Sequence, residues 1–364
     1  MSATAVVDLD DTEGLLAADR HGLLRAASMA GAQVRATASA LSEGDLDSVR
    51  SDAPPRTVVW VAGRGTASVA GSMLAAVLGG SLPAPIVLAT EAPPWIGALD
   101  VLIIAGDDPG DSALVTAAAM GVRRGARVIV VAPYEGPLRD ATAGRSVALP
   151  PRLPVPDDFT LARYLAAGLA ALEVVAPGVR VNLAALADDL DAEAFRNSAA
   201  REIFTNPAKE LTQRMLGRDV VFAGDSPATL TLARHACTVM LRVAQQTVAA
   251  VGLADVLVAL GSGWGRGSGE VSIFHDEELD GPLPNRARTI VLTSDEDRPA
   301  ISARLRGFDD VSVVNANDVP ELGGAGEVVS GSTEMPGANR PEKQLALMAV
   351  RLEMAAVYQR LIRG

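Results

Sequence analysis

Short, almost purely apolar runs recur along the chain, separated by longer segments in which apolar residues return every three or four positions. Val58–Ala62, "APIVLAT", "VLIIAG" and "ARVIVVA" are runs of the first kind, rich in Val and Ile and short enough for strands buried on both faces. Between them the spacing predicts helices over Ser68–Leu78 and Ser112–Arg124, and another helical segment, Asp19–Leu41, precedes the first strand. Strands alternating with helices of this length predict a parallel sheet covered on both faces. That unit closes near the proline-rich "LPPRLPVPDD".

A second series with the same grammar follows. Phe159–Val175 reads as a strongly apolar helix, and Val181–Ala200 as a more charged one suited to connect two domains. The pattern then predicts strands at "DVVFAG", "DVLVAL", "RTIVLTS", "VSVVNA" and "GEVVSG", with helices over Thr229–Val251 and Arg298–Arg306 and a closing helix over Pro341–Ile362. The expected fold class is therefore α/β, with two doubly wound parallel-sheet domains over residues 1–178 and 179–364. "GSGWGRGSG", Gly261–Gly269, reads as a surface loop, with a lid as the functional alternative.

Composition narrows the partners. The 364 residues are 49% hydrophobic, enough for two cores, and the net charge of −12 argues against a nucleic-acid or anionic-membrane partner. An anionic ligand would need a local site that overcomes the global field. Cys237 is the one cysteine, which excludes an internal disulfide and a Cys-rich metal site. The acidic start "MSATAVVDLDDTEG" lacks the order of a secretory signal, so the expected location is cytoplasmic. Thr66–Thr90 carries no charge, but Gly79, Gly80, Pro83 and Pro85 interrupt it, and a helix, a turn and a strand are expected there rather than a membrane span.

The first strand ends in a glycine turn, "VVWVAGRGTASVAGSML". A helix starting there points unpaired backbone N–H groups and a positive dipole end at the turn, so its default guest is an anion. The turn can be parsed as Gly63-x-Gly65-x-x-Ser68 followed, one strand later, by Glu91, which gives a nicotinamide-dinucleotide hypothesis. A tight turn holding nothing explains the same glycines.

Further motifs point elsewhere. "GRGTASVAGSML" resembles the first motif of the sugar isomerase (SIS) fold in the bifunctional phosphoglucose/phosphomannose isomerase family, where a Gly-x-Gly-Gly-Ser turn opens a helix continuing Ala-Gly. Gly63, Gly65, Ala70 and Gly71 match, while Thr66 and Ala67 replace Gly-Ser. "RGARVIVVA", "NPAKEL", "HDEELDG" and "RTIVLTSDEDRPAISARL" follow in the family's order, so the resemblance runs from Val58 to Leu305. It implies two SIS-like domains, a homodimer, and a sugar phosphate bound between domains and isomerised between aldose and ketose without metal or redox cofactor.

By the same resemblance Gly63, Gly65, Thr66, Ser68 and Lys209 would bind substrate, His275 would open the sugar ring, and Glu277 would be the nearest carboxylate. Each has a plainer reading. Lys209, one of two lysines in the chain, follows Pro207 at a helix N-terminus, and His275 lies among acids as in a solvated turn. The departures matter equally. The family's hydroxyl-rich phosphate loop is here "AGDDPGDSA", with Asp107 and Asp108 set against an anion. Its glutamate base falls at Gln245 or Gln246, and an amide cannot take the proton. Its Pro-Arg pair is missing, leaving only Arg163, shifted along the helix. The expectation is thus a phosphosugar-binding, isomerase-like protein of the glucose 6-phosphate/mannose 6-phosphate to fructose 6-phosphate class. The alternatives are a binding or regulatory protein without catalysis and, third, a nicotinamide-dependent oxidoreductase.

Overall fold

The structure is a computed structural model, and it describes residues 7–51, 53–176, 178–264, 286–308, 310–318 and 340–363. In chain order the first elements are α1 (Thr12–Ala18), α2 (Leu23–Ala27) and α3 (Ala30–Ser42). They are followed by β1 (Thr57–Ala62), α4 (Thr66–Leu78), β2 (Ile86–Ala89), β3 (Asp100–Ala105) and α5 (Ser112–Arg123). Next come β4 (Arg127–Val131), α6 (Gly136–Thr142), β5 (Val147–Ala148), α7 (Leu161–Val175) and α8 (Leu183–Arg196). The second half carries α9 (Pro207–Met215), β6 (Arg218–Gly224), α10 (Pro227–Arg242), β7 (Ala249–Gly252) and α11 (Leu253–Gly261). It closes with β8 (Arg286–Leu292), α12 (Arg298–Arg304), β9 (Val311–Val314) and α13 (Pro341–Arg363).

Two parallel sheets form, in the orders β2-β1-β3-β4-β5 and β7-β6-β8-β9, and the fold is α/β with two parallel sheets as the pattern predicts. They belong to two compact units, Gly22–Phe195 and Met1–His21 with Arg196–Gly364. The N-terminal segment therefore belongs with the second unit, where Thr12 Oγ1 donates to Ala199 O and Asp10 Oδ1 accepts from Ile203 N at 2.9 Å. The sequence boundary at 178/179 falls within the first unit, ahead of α8.

In the first unit every residue of β1 and β3 is buried, as their lack of polar alternation predicts. Val59, Val61, Leu102 and Ile104 turn to a core shared with α5 and α6. Trp60 turns the other way, against α4 and α7. A Cβ on Gly71 would lie 2.4 Å from its ring, and one on Gly168 would lie 2.9 Å from it and 2.3 Å from Leu74. The indole N–H donates to Ala67 O at 3.0 Å. The Ala-Gly of the sequence motif is thus the slot that admits the indole.

Two stretches of the second unit differ from the sequence expectation. The helix expected over Thr229–Val251 ends at Arg242, and residues 249–252 form strand β7. Gln245 takes a φ of 54° and Gln246 N returns to Met240 O at 3.0 Å, closing the helix with a left-handed residue that no glycine announces. Gln245 and Gln246 consequently lie beyond the helix rather than on it. "DVLVAL", expected as a strand, is the body of α11, because Leu253, Val256 and Leu260 recur at helical spacing and bury together with Ala223, Val291 and Ile301. The short elements α6 and β5 carry too few residues to mark a period. "GEVVSG" lies outside the described residues.

Candidate functional site

The carboxyl ends of parallel strands are where an open α/β sheet presents its loops to a ligand. In the first sheet those ends lead into the glycine turn after β1 and the acidic loop after β3. Gly65 has φ 67° and ψ −145°, a conformation open to glycine and strained for other residues, and it starts α4 without any side-chain cap. The 13-residue helix therefore leaves its first N–H groups uncapped by a side chain. Gly63, Arg64 and Ser68 are exposed around this turn.

The acidic loop is arranged differently. Asp111 caps α5, accepting from Ala113 N at 2.8 Å and Leu114 N at 3.4 Å, while Asp108 accepts from Gly110 N at 2.8 Å. Asp111 also lies against Gly63, where a Cβ would meet its Oδ2 at 3.0 Å. A carboxylate of the chain itself thus takes the donors that a hydroxyl-rich loop would offer to phosphate. Asp107 and Asp108 are exposed beside it. Of these two helix starts, that of α5 carries a side-chain cap and that of α4 does not.

A third segment reaches the glycine turn. Thr66 and Thr160 share a hydroxyl–hydroxyl hydrogen bond of 2.7 Å, and Thr160 donates onward to Asp157 O at 2.8 Å. One turn further along α7 stands Arg163, 9% exposed in a helix that carries no other basic residue. Its Nε and Nη1 are enclosed and have no hydrogen-bond partner among the described residues. The guanidinium sits 4.1 Å from the Tyr164 ring centroid. Burial lowers its pKa, an effect opposed by Tyr164 and by the carboxylates of Asp107 and Asp157. Burial likewise raises the pKa of Tyr164. Beside Arg163 a cavity of about 20 Å³ reaches Gln33, whose Oε1 has no partner among the described residues. That is room for one water, not for a sugar.

The other residues singled out from the sequence fall elsewhere. Lys209 is completely buried, and its ammonium donates to Ala199 O at 2.8 Å and Arg201 O at 2.7 Å, stapling α9 to the preceding loop. Asn206 caps the same helix by accepting from Lys209 N. The plainer reading of "NPAKEL" accounts for what is seen. His275 and Glu277 lie outside the described residues. Of the two remaining histidines, His21 is exposed, and His235 is enclosed with its Nε2 2.9 Å from Glu353 Oε1. Gln246 is also buried, with Oε1 lacking a partner among the described residues. Thr160 and Asp111 were not singled out from the sequence; the only trace of their roles is the polar residue standing just before each helix.

No family model and no curated protein matches the chain. Solved structures do. The chain is similar to tagatose-6-phosphate ketose/aldose isomerase from Escherichia coli at 15% identity and a TM-score of 0.60, over 100% of this chain and 95% of that one. It is also similar to a glucose-6-phosphate isomerase like protein from Thermus thermophilus at 21% identity and 0.53, covering 98% and 94% of the two chains. Glucosamine-6-phosphate deaminase from Thermotoga maritima matches at 11% and 0.56, over 94% and 95%. The fold is the SIS-type fold of these proteins.

Proposed function

We propose that the chain binds a sugar phosphate at the carboxyl end of its first sheet, with the phosphate at the start of α4 and the Arg163 guanidinium turned towards its charge. The observation that carries this reading is Arg163 itself: a nine-tenths buried cation with two N–H-bearing atoms unpartnered among the described residues, one helical turn from the hydroxyl that meets Thr66. An anion arriving at the turn would offset the desolvation that the free protein bears. Gly63, Gly65, Thr66 and Ser68 would line the site and Arg64 would add charge at its rim. The names of the fold's neighbours, with substrates that are sugar 6-phosphates, support the same ligand class.

The finer reading is an aldose–ketose isomerase-like protein of the hexose 6-phosphate class, acting in the cytoplasm as a homodimer. His275 would open the ring, and Glu277 would be the substitute carboxylate for a base absent at Gln245 and Gln246. The two amides, and a loop in which Asp111 takes the place of phosphate, favour a second reading, a phosphosugar-binding protein without turnover. Thermal melts with glucose, mannose and fructose 6-phosphates and with NAD(P) test the ligand class. A rise in Tm with a hexose phosphate and none with NAD(P) is expected, since a ligand of the native state alone raises apparent stability. Exchange of the C2 hydrogen into deuterated water then separates the two readings: exchange lost in Glu277→Gln supports the enzyme, and binding without exchange supports the regulator.

A further inference from the structure

The second unit contains a polar cavity that the proposed site does not use. It measures about 440 Å³ and lies between α9, the end of β9 and α13, at the edge of the second sheet among the described residues. Glu210 and Arg214 of α9, Arg298 at the start of α12, Asp318 and Arg351 supply its charged lining. Arg351 is 2% exposed and immobilised, its Nη1 donating to Asn315 O at 2.8 Å and its Nη2 to Ala316 O at 3.0 Å. Arg214 pairs with Glu210, and Arg298 with Asp318; all four side chains are between 24% and 46% exposed.

A separate group of arginines lies towards the amino ends of β6 and β8. Arg218 Nη1 and Arg288 Nη1 each stand 3.6 Å from the same oxygen, Asp310 Oδ1. Arg218 Nη1 and Arg288 Nε are enclosed without hydrogen-bond partners among the described residues. Burial lowers the pKa of Arg288, and the charges of Arg214 and Arg218 lower it further. Three guanidinium groups, those of Arg214, Arg298 and Arg351, thus line the cavity with two carboxylates, in a chain of net charge −12.

We propose that this cavity is a second anion site, taking a small molecule that carries a phosphate monoester. Its volume suits a ligand of that size. Exposed arginine–carboxylate pairs hold weakly, so a dianion can displace Glu210 and Asp318 and take both forks in bidentate geometry, over a floor made positive by the fixed Arg351. The proposal does not depend on the Arg163 site.

Calorimetric titration of the full chain with inorganic phosphate tests it, with malonate as a carboxylate arm. Two phosphate sites are expected. The double variant Arg214→Gln/Arg298→Gln should weaken one at least tenfold and leave the other, whereas Arg163→Gln should do the reverse. Malonate should bind the second site more weakly than phosphate. Arg298→Lys, which keeps the charge and removes the fork, should weaken the same component if the double variant folds poorly by circular dichroism. Wild-type stoichiometry and affinity in both the double variant and Arg298→Lys would overturn the proposal, and so would malonate binding more tightly than phosphate. Absence of the Arg163-dependent component alone would contradict the proposed function and leave this second site standing.

Discussion

Burying a guanidinium with no carboxylate in contact raises the free energy of a fold, and Arg163 is the residue at which the described chain does so most clearly. Replacing it with Met is expected to make the free protein more stable by about 1–3 kcal/mol, while abolishing stabilisation by a hexose phosphate. Urea unfolding with and without fructose 6-phosphate measures both effects, and a less stable Arg163→Met variant would mean that the guanidinium serves the fold. The sequence marks Arg163 as the only basic residue of an apolar helix, but not its burial, which depends on Gln33 and Leu149–Leu153 from distant parts of the chain. Cys237 is a plainer case. Burial pushes its thiol from 9.0 to about 11. The native thiol should therefore label slowly at pH 8 and quickly once the chain unfolds, because only thiolate reacts. The folded state also holds this proton more tightly than the unfolded state. Its contribution to stability is accordingly complete below pH 9 and is lost as pH rises towards 11. Equal labelling of native and unfolded protein would contradict the burial.

At the scale of elements, the most exacting packing is the indole of Trp60 between the glycines of α4 and α7. Gly168→Ala drives a methyl to within 2.3 Å of Leu74 and 2.9 Å of the indole. A loss of about 1–3 kcal/mol is expected, the usual cost of overpacking, and chemical denaturation should show it with the m-value unchanged. Wild-type stability would mean that α4 and α7 are free to move apart. The Ala70-Gly71 half of this arrangement was legible as a motif; Gly168 was not, since the spacing of an all-apolar helix does not say which face meets a tryptophan. Strands β1, β3, β4, β6 and β8 were legible because parallel strands buried on both faces are unbroken apolar runs. The same property misled at "DVLVAL": the unbroken run of five after Asp255 fits a buried strand as well as one face of a short helix, and only the sheet beneath it decides. The end of α10 was hidden for another reason, its closing left-handed residue being Gln245 rather than glycine.

At the scale of the molecule, two sheets of like topology carry their charge differently. The first carries a helix start without a side-chain cap and, on α7, one buried arginine, and the second lines a cavity at its edge with three arginines. Against a net charge of −12, such local concentrations are what an anionic ligand requires. Among the described residues no helix is long and apolar enough to cross a membrane, and no group of three or more His, Cys, Asp or Glu is placed to hold a metal ion. Alternating strands and helices made the fold class readable from the chain alone. The site was readable only as far as its glycines, because what surrounds a turn is set by loops that meet after folding.

The central claim is that the phosphate of a hexose phosphate is held at the glycine turn with Arg163. Calorimetric titration of fructose 6-phosphate into the wild type and into Arg163→Gln tests it most directly. The account predicts saturable binding by the wild type, weakened in the folded variant by at least about tenfold, the equivalent of losing one charge-assisted hydrogen bond of about 1.5–3 kcal/mol. Equal affinity in both proteins, or no binding by the wild type, would contradict it.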